Sequence, residues 1–393
     1  LVSLLPEMRP ELVAVCPRCA HTLWRMRANP FEFPIACGLA GLLFYLYALV
    51  APFLEISAYG RFSLARLGTG PVQLSVEGFE LVGMLVGAVT IVLPGVKLAL
   101  MLLTLIGLRT RSIPAGLLRS LFRWYRPLSA WAMIDVYLLG FLVAYTRLTA
   151  IASVHLDTAL YALIGLMISM AAADAALDAE AVWRALDRLT PAPAPAPSAT
   201  GLVMGCDCCG MVSRADPGQR CRRCHAVLQA RKPNSVARSW ALMLAAAAFY
   251  VPANLYPVLV YTELAQTTHY TIMGGIGELL DYGLWPLAAL VFLASITIPL
   301  MKLLILAYML IMTQLRSDKH LIGRTRAFRL IEFIGRWSMI DVFMISILVA
   351  LVQFGQFATI RTDLGAPCFA AVVVLTIFAA DFFDPRLMWD AAE

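Results

Sequence analysis

The hexapeptide WSMIDV at residues 337–342 has a near copy, WAMIDV, at 131–136, an offset of 206. That offset orders the rest of the chain. Pro52 matches Pro257, Pro94 matches Pro299 and Lys97 matches Lys302 at an offset of 205. Cys16 and Cys19 match Cys221 and Cys224 at the same 205. Beyond the hexapeptide, AAD at 172–174 resembles AAD at 379–381, and Trp183 matches Trp389. Matches that keep one order over nearly the whole length read as a tandem duplication.

The repeated material is membrane-like. Of 393 residues, 61% are hydrophobic and 14% charged, against about 25% charged in a soluble domain. Uncharged stretches reach the roughly 20 residues a helix needs to cross a bilayer. Pro34–Leu54, Leu81–Val96 running on through Leu98–Leu108, Ser239–Thr262 and Gly283–Met301 running on to Gln314 are the clearest. Pro127–Thr146 and Trp337–Ile360 qualify with one aspartate each, and the shorter Thr158–Ala173 and Leu364–Ala380 follow them. The predicted fold is an α-helical integral membrane protein, a tandem duplication of four-helix transmembrane modules with about eight spans. A soluble enzyme is excluded, and no triad, Walker loop or dinucleotide fingerprint is present.

Orientation follows the basic residues. Residues 109–126 carry Arg109, Arg111, Arg119, Arg123 and Arg126 without an acid, and 315–336 carry six basic residues. The alternate stretch 261–282 carries none. Both termini and the central linker are therefore expected in the cytoplasm. The net charge of +6 is explained by this topology, so nucleic acid is not an expected partner. Four spans are an even number, so both halves enter the membrane in the same sense, related by an axis along its normal. Duplication alone enlarges a bundle and does not imply transport.

Seven of nine cysteines fall in predicted cytoplasmic segments, where disulfides are disfavoured. Cys206-x-x-Cys209 and Cys221-x-x-Cys224 lie eleven residues apart, the spacing of a closed four-thiolate zinc ribbon. Cys208 is surplus. Cys16 and Cys19 make at most a partial site, because Leu1 and Leu4 stand where the other pair would fall. A redox Cys-x-x-Cys is the alternative there, but no thioredoxin-like pattern surrounds it. The expected organisation is 1–33 a partial or degenerate cysteine ribbon, 34–177 a first four-helix module and 178–200 a linker, Pro-Ala rich over 190–200. Residues 201–232 then form the zinc ribbon and 233–393 the second module.

Only four lysines occur, and Lys97 and Lys302 lie inside spans, each three residues after a proline (Pro94 in PGVK, Pro299 in PLMK). A lysine at mid-span costs about 2.5–3.5 kcal/mol on insertion scales. The natural counter-charges are Asp135 and Asp341 of the hexapeptides, which begin the next helix of each half, so Lys97–Asp135 and Lys302–Asp341 are the expected pairs. They either pin helices together or form a polar site for lipid headgroups or protons. Asp174 and Asp381 read as interfacial.

A cysteine ribbon followed by four helices with P-x-x-K and WSMIDV, all of it repeated, resembles the paraquat-inducible protein A family, and the tail FFDPRLMWD (382–390) looks like that family's domain ending. The resemblance implies an inner-membrane protein of a diderm bacterium, working with a partner whose mammalian-cell-entry (MCE) domains form a periplasmic tunnel. It implies lipid movement between the inner and outer membranes, and zinc on Cys206, Cys209, Cys221 and Cys224. It places Lys97, Asp135, Lys302 and Asp341 at the family's polar positions. The incomplete first ribbon departs from the pattern. The competing expectation is a membrane anchor or regulatory adaptor for the tunnel protein, without transport of its own; a third is a thiol oxidoreductase.

Overall fold

Inside a bilayer the backbone must satisfy its own hydrogen bonds, which leaves the helix as the local solution for isolated spans. The computed structural model describes residues 13–15, 22–25, 30–58, 61–149, 153–190, 202–263, 266–352 and 358–390. Among these, eight helical segments are long and apolar enough to cross a membrane: Glu32–Val50, Glu80–Thr110, Ala115–Thr146, Thr158–Ala176, Ser235–Leu255, Trp285–Gln314, Leu321–Leu351 and Gly365–Phe382. The chain is a multi-pass membrane protein.

The first repeat begins with the hairpin β1 (Val13–Val15) and β2 (Thr22–Arg25), then α1 (Glu32–Val50). Strands β3 (Leu54–Ala58) and β4 (Arg61–Ala65) precede α2 (Thr69–Val76) and α3 (Glu80–Gly87). A π-helical turn, Ala88–Val92, leads into α4 (Leu93–Thr110). Then come α5 (Ala115–Ser129), α6 (Ile134–Leu148), β5 (Ser153–Leu156), α7 (Thr158–Ala176) and α8 (Ala179–Leu189). The second repeat opens with β6 (Leu202–Gly205) and β7 (Val212–Ala215), followed by α9 (Ser235–Leu255), β8 (Leu259–Glu263), β9 (Gln266–Tyr270) and α10 (Ile272–Asp281). Next, α11 (Trp285–Phe292), a π-helical turn at Leu293–Thr297 and α12 (Ile298–Gln314) form one continuous span. Helix α13 (Leu321–Gly335) passes through the 3₁₀ turn Arg336–Met339 into α14 (Ile340–Leu351). Strand β10 (Ala358–Thr362), α15 (Gly365–Phe382) and the short α16 (Leu387–Asp390) end it.

Three departures from the sequence reading have plain physical causes. The apolar runs Pro34–Leu54, Ser239–Thr262 and Trp337–Ile360 each end in a strand rather than in helix. These strands build two antiparallel three-stranded sheets of order β4-β3-β5 and β10-β8-β9. In β3, Leu54 and Ile56 are fully buried while Glu55 and Ser57 are not, the two-residue alternation of a strand with one covered face. Second, the supposed linker 178–200 starts as α8. Asp178 caps it by accepting from the Glu180 and Ala181 backbone N–H groups at 3.0 and 3.2 Å. Asp384, 206 residues later, accepts from the Arg386 N–H at 3.0 Å in the same way. The Pro-Ala stretch 191–200, like Cys16 and Cys19, lies outside the described residues.

Third, packing does not follow the repeat boundaries. The chain forms one unit from Leu1–Tyr45, Leu93–Ala132 and Gly165–Pro233, and another from Leu46–Val92, Met133–Ile164 and Asn234–Glu393. Within the second unit the two repeats interlock. Helix α6 lies so close to α14 that a Cβ at Gly140 would sit 2.9 Å from the Ile340 carbonyl oxygen. Small residues permit such approach between membrane helices. Phe53 meets Phe141 at 5.6 Å, and Tyr137 meets Phe343 of the other repeat at 5.6 Å, both edge-on. Glu77 accepts from the Thr362 N–H and hydroxyl at 3.1 and 2.9 Å, tying α2 to β10. Gly140→Ala is expected to lower stability by about 1–3 kcal/mol through overpacking, read as a fall in melting temperature in detergent. Gly116→Ala on α5, where nothing lies within 4 Å of the new Cβ, should not.

Candidate functional site

The ribbon is built by two turns of identical backbone design. In the first, Cys206 N–H donates to the Met211 carbonyl at 2.9 Å, and Gly210 N–H donates back to the Cys206 carbonyl at 2.9 Å. In the second, Cys221 N–H donates to Ala226 at 2.7 Å and His225 N–H to Cys221 at 2.8 Å. The residue after each second cysteine takes a positive φ, +72° at Gly210 and +58° at His225. Glycine adopts this freely; histidine does so at a cost that the closed turn must offset. The two knuckles bring four buried sulfurs within 4.8 Å of one another. Cys206 and Cys224 sulfurs are 3.5 Å apart, and those of Cys209 and Cys221 3.6 Å. A tetrahedral ion bound at 2.3 Å by four thiolates has an edge of about 3.8 Å, so the donor set fits a metal ion. Hydrogen bonding with Cys206 is the leading cause that holds the Cys209 thiol far above its ordinary pKa and draws Cys221 far below. Four sulfurs this close cannot all ionise without a cation between them. Cys208 lies outside the cluster and is half-buried.

The ribbon docks through its second knuckle. Arg223, between Cys221 and Cys224, donates from Nε to Asp187 Oδ2 at 2.8 Å and from Nη1 to Glu180 Oε2 at 3.1 Å. Both acids lie on α8. Burial alone would lower the Arg223 pKa, but Glu180 and then Asp187 more than offset it and hold the guanidinium above its ordinary value. The other Asp187 oxygen, Oδ1, accepts from Arg119 of α5 at 3.3 Å. Arg119 also donates to the Leu186 and Thr190 carbonyls, closing the C-terminal end of α8, where a cation is favoured.

The repeated lysines lie deep in their spans, each 4% exposed. Each follows a π-helical turn and a proline. The proline ring would clash with the carbonyl four residues back, at Thr90 for Pro94 and Ser295 for Pro299. The wider π turn takes up that clash. Thr90 and Ser295 hydroxyls are buried and donate to the Val86 and Val291 carbonyls, both at 2.7 Å. The sequence reading missed these turns, although a hydroxyl residue four places before each proline was visible.

The lysine partners differ from those expected. Lys97 pairs with Asp174 at 2.5 Å, not with Asp135, and the Tyr125 hydroxyl donates to the other Asp174 oxygen at 2.5 Å. Asp174, read as interfacial, is thus the counter-charge of a buried lysine. Lys302 donates to the Gly335 carbonyl at 3.0 Å and the Ser338 hydroxyl at 2.8 Å, not to Asp341. Asp135 and Asp341 both fall in the first turn of their helices, Asp135 exposed and Asp341 buried. Ser338 is the one position at which WSMIDV departs from WAMIDV, so the first repeat has Ala132 where Lys302 finds a hydroxyl. Ser338→Ala should destabilise the fold by about 1–3 kcal/mol, the range for an unsatisfied buried group, measured by thermal unfolding in detergent. Cys221→Ser is expected to strip the ribbon of metal, checked by elemental analysis of the purified chain.

The sequence profile of the family described as Paraquat-inducible protein A matches residues 32–187 and 236–393, one segment per repeat. The chain is 32% identical to the intermembrane transport protein PqiA of Escherichia coli (strain K12), over 98% of this chain and 93% of that protein. It is 30% identical to lipophilic envelope-spanning tunnel protein A of the same organism, over 99% and 89%. With a probable intermembrane transport protein of Haemophilus influenzae it shares 25% identity, over 96% and 90%. No solved structure matches. The duplicated helical modules, the four-cysteine ribbon and a profile that covers both halves together place this chain in the paraquat-inducible protein A family.

Proposed function

We propose that the chain is the inner-membrane subunit of a lipid transport system, passing lipids to or from a periplasmic tunnel protein with MCE domains, and that it is not an enzyme. The carrying observation is the buried lysine retained after a proline and a π-helical turn in both repeats. A cation kept twice within apolar helices against an insertion cost of about 2.5–3.5 kcal/mol fits a path that receives polar headgroups. The names of the relatives, intermembrane transport protein and envelope-spanning tunnel protein, fit the same reading.

Within it, Lys97, Asp135, Lys302 and Asp341 form the transport network. Pro94 and Pro299 supply the helix irregularity that lets the lysines change partners. Energy comes from a proton gradient or from lipid flux, since the sequence carries no nucleotide-binding motif. The loops rich in arginine lie in the cytoplasm with both termini, which puts the two three-stranded sheets at the periplasmic face, where a tunnel protein would meet them. Zinc is the metal proposed for Cys206, Cys209, Cys221 and Cys224. Four thiolates would leave it no open position, so its part is to hold the ribbon closed. Cys16 and Cys19 remain a proposed partial site.

Lys302→Ala is the decisive variant. It is expected to stop lipid transfer between membranes while protein level and assembly with the tunnel partner stay unchanged. If protein level or assembly falls instead, with transfer per assembled complex preserved, the chain is an anchor or adaptor. Lipid co-purifying with the wild type and absent from a Lys97→Ala/Lys302→Ala double variant, measured by mass spectrometry, would place the headgroup site at the lysines.

A further inference from the structure

We infer that α8, through Asp187 and Trp183, couples the metal-loaded ribbon to the Lys97 pair, so that the state of the ribbon sets how firmly Lys97, Asp174 and Tyr125 are held. Two routes lead across α8 to α5, the helix that carries Tyr125. The ionic one starts at Arg223, whose backbone lies between two thiol ligands and is fixed when the knuckle is closed. Asp187 takes Arg223 on one oxygen and Arg119 on the other. The side chains of both arginines are largely buried, 13% and 9% exposed. Pairs so placed are screened far less than surface pairs. Removing one member leaves the others with buried charge to compensate.

The second route is aromatic. Glu180, Trp183 and Asp187 share one face of α8 at i, i+3 and i+7. Trp183, 3% exposed, meets Phe122 edge-on at 5.2 Å. Phe122 stacks on Tyr125 at 5.8 Å with an interplanar angle of 7°. Tyr125 holds Asp174, which holds Lys97. A shift of α8 therefore reaches the lysine pair through α5, which α8 grips at Arg119 and meets at Phe122 and whose Tyr125 holds Asp174. The second repeat does not copy this arrangement. Ile331 stands where Tyr125 would be, 206 residues on, and Lys302 is held by a carbonyl and a hydroxyl. Coupling is thus a property of the first repeat, served by the second repeat's ribbon.

The inference rests on the metal reading of the ribbon and goes beyond the transport reading, which it does not need. The test is hydrogen–deuterium exchange of the full chain in detergent, with metal content measured first, before and after stripping with a strong zinc chelator. Stripping should speed exchange in α8 and also over 119–126 and 170–176, by at least about fivefold, the lower range of measured couplings between sites. In Asp187→Asn the ribbon should still respond to the chelator, while 119–126 and 170–176 respond much less. Arg223→Gln, which approaches the same contact from the ribbon side, should behave alike, so one poorly folding variant does not decide the matter. Metal present and removed, with 119–126 and 170–176 unmoved in the wild type, overturns the coupling alone. A purified chain that holds no metal overturns the metal reading and the coupling together.

Discussion

An ammonium group inside an apolar span has to be supplied with partners by the helices around it, and the rest of the arrangement adjusts to that demand. The two repeats meet it differently. Around Lys97 the partner is a carboxylate, Asp174, itself held by Tyr125. Around Lys302 the partners are neutral, a carbonyl and the Ser338 hydroxyl. Two substitutions between the copies account for most of this. Ala132 offers Lys97 no hydroxyl, and Ile331 offers no phenol to draw Asp381 inward. Duplication produced two equal sites, and divergence at the residues facing the ammonium made one ion-paired and the other not.

The backbone ahead of each lysine follows from the same position. A proline three residues before the lysine removes a donor and crowds the preceding turn. An ordinary helix would kink there. Here the turn widens to a π turn in both copies, and a buried Thr or Ser hydroxyl donates a hydrogen bond to the carbonyl four residues back. Such turns are local minima with fewer regular hydrogen bonds than an α-helix, and they recur at functional positions. The lysine therefore stands near the start of the regular helix that follows the widened turn, at Lys97 in α4 and Lys302 in α12.

Sequence alone carried the spans, the duplication and the four-cysteine cluster, because each depends on a pattern that local chemistry imposes: apolar length, ordered matches and ligand spacing. The two three-stranded sheets were harder to read. LEISA and its relatives are short, and in a chain this apolar a strand and the tail of a span have nearly the same composition. The Lys97 partner was illegible for another reason. Asp135 and Asp174 are both single acids at helix ends, and only packing selects between them. Helix α8 could have been found: Asp178 before Ala179–Leu189, with Val182, Trp183 and Leu186 on one face, is a capped amphipathic pattern that the adjoining Pro-Ala stretch obscured.

The docking of the ribbon bears on how the two copies came to act as one molecule. Were each repeat self-sufficient, its ribbon would pack on its own helices, and the two halves could separate without loss. Instead the ribbon that opens the second repeat is clamped by Glu180 and Asp187, on the helix that closes the first. Helix α6 of the first repeat presses on α14 of the second at Gly140, and Glu77 of the first caps a strand of the second. Each contact buries or pairs a group that would be left exposed or unsatisfied if its half stood alone. Fusion was thus followed by exchange of supporting contacts. The lysine sites themselves stay within their own copies, Lys97 with Asp174 and Tyr125 and Lys302 with Gly335 and Ser338, so the exchanged contacts join the copies while the residues facing each ammonium are free to differ.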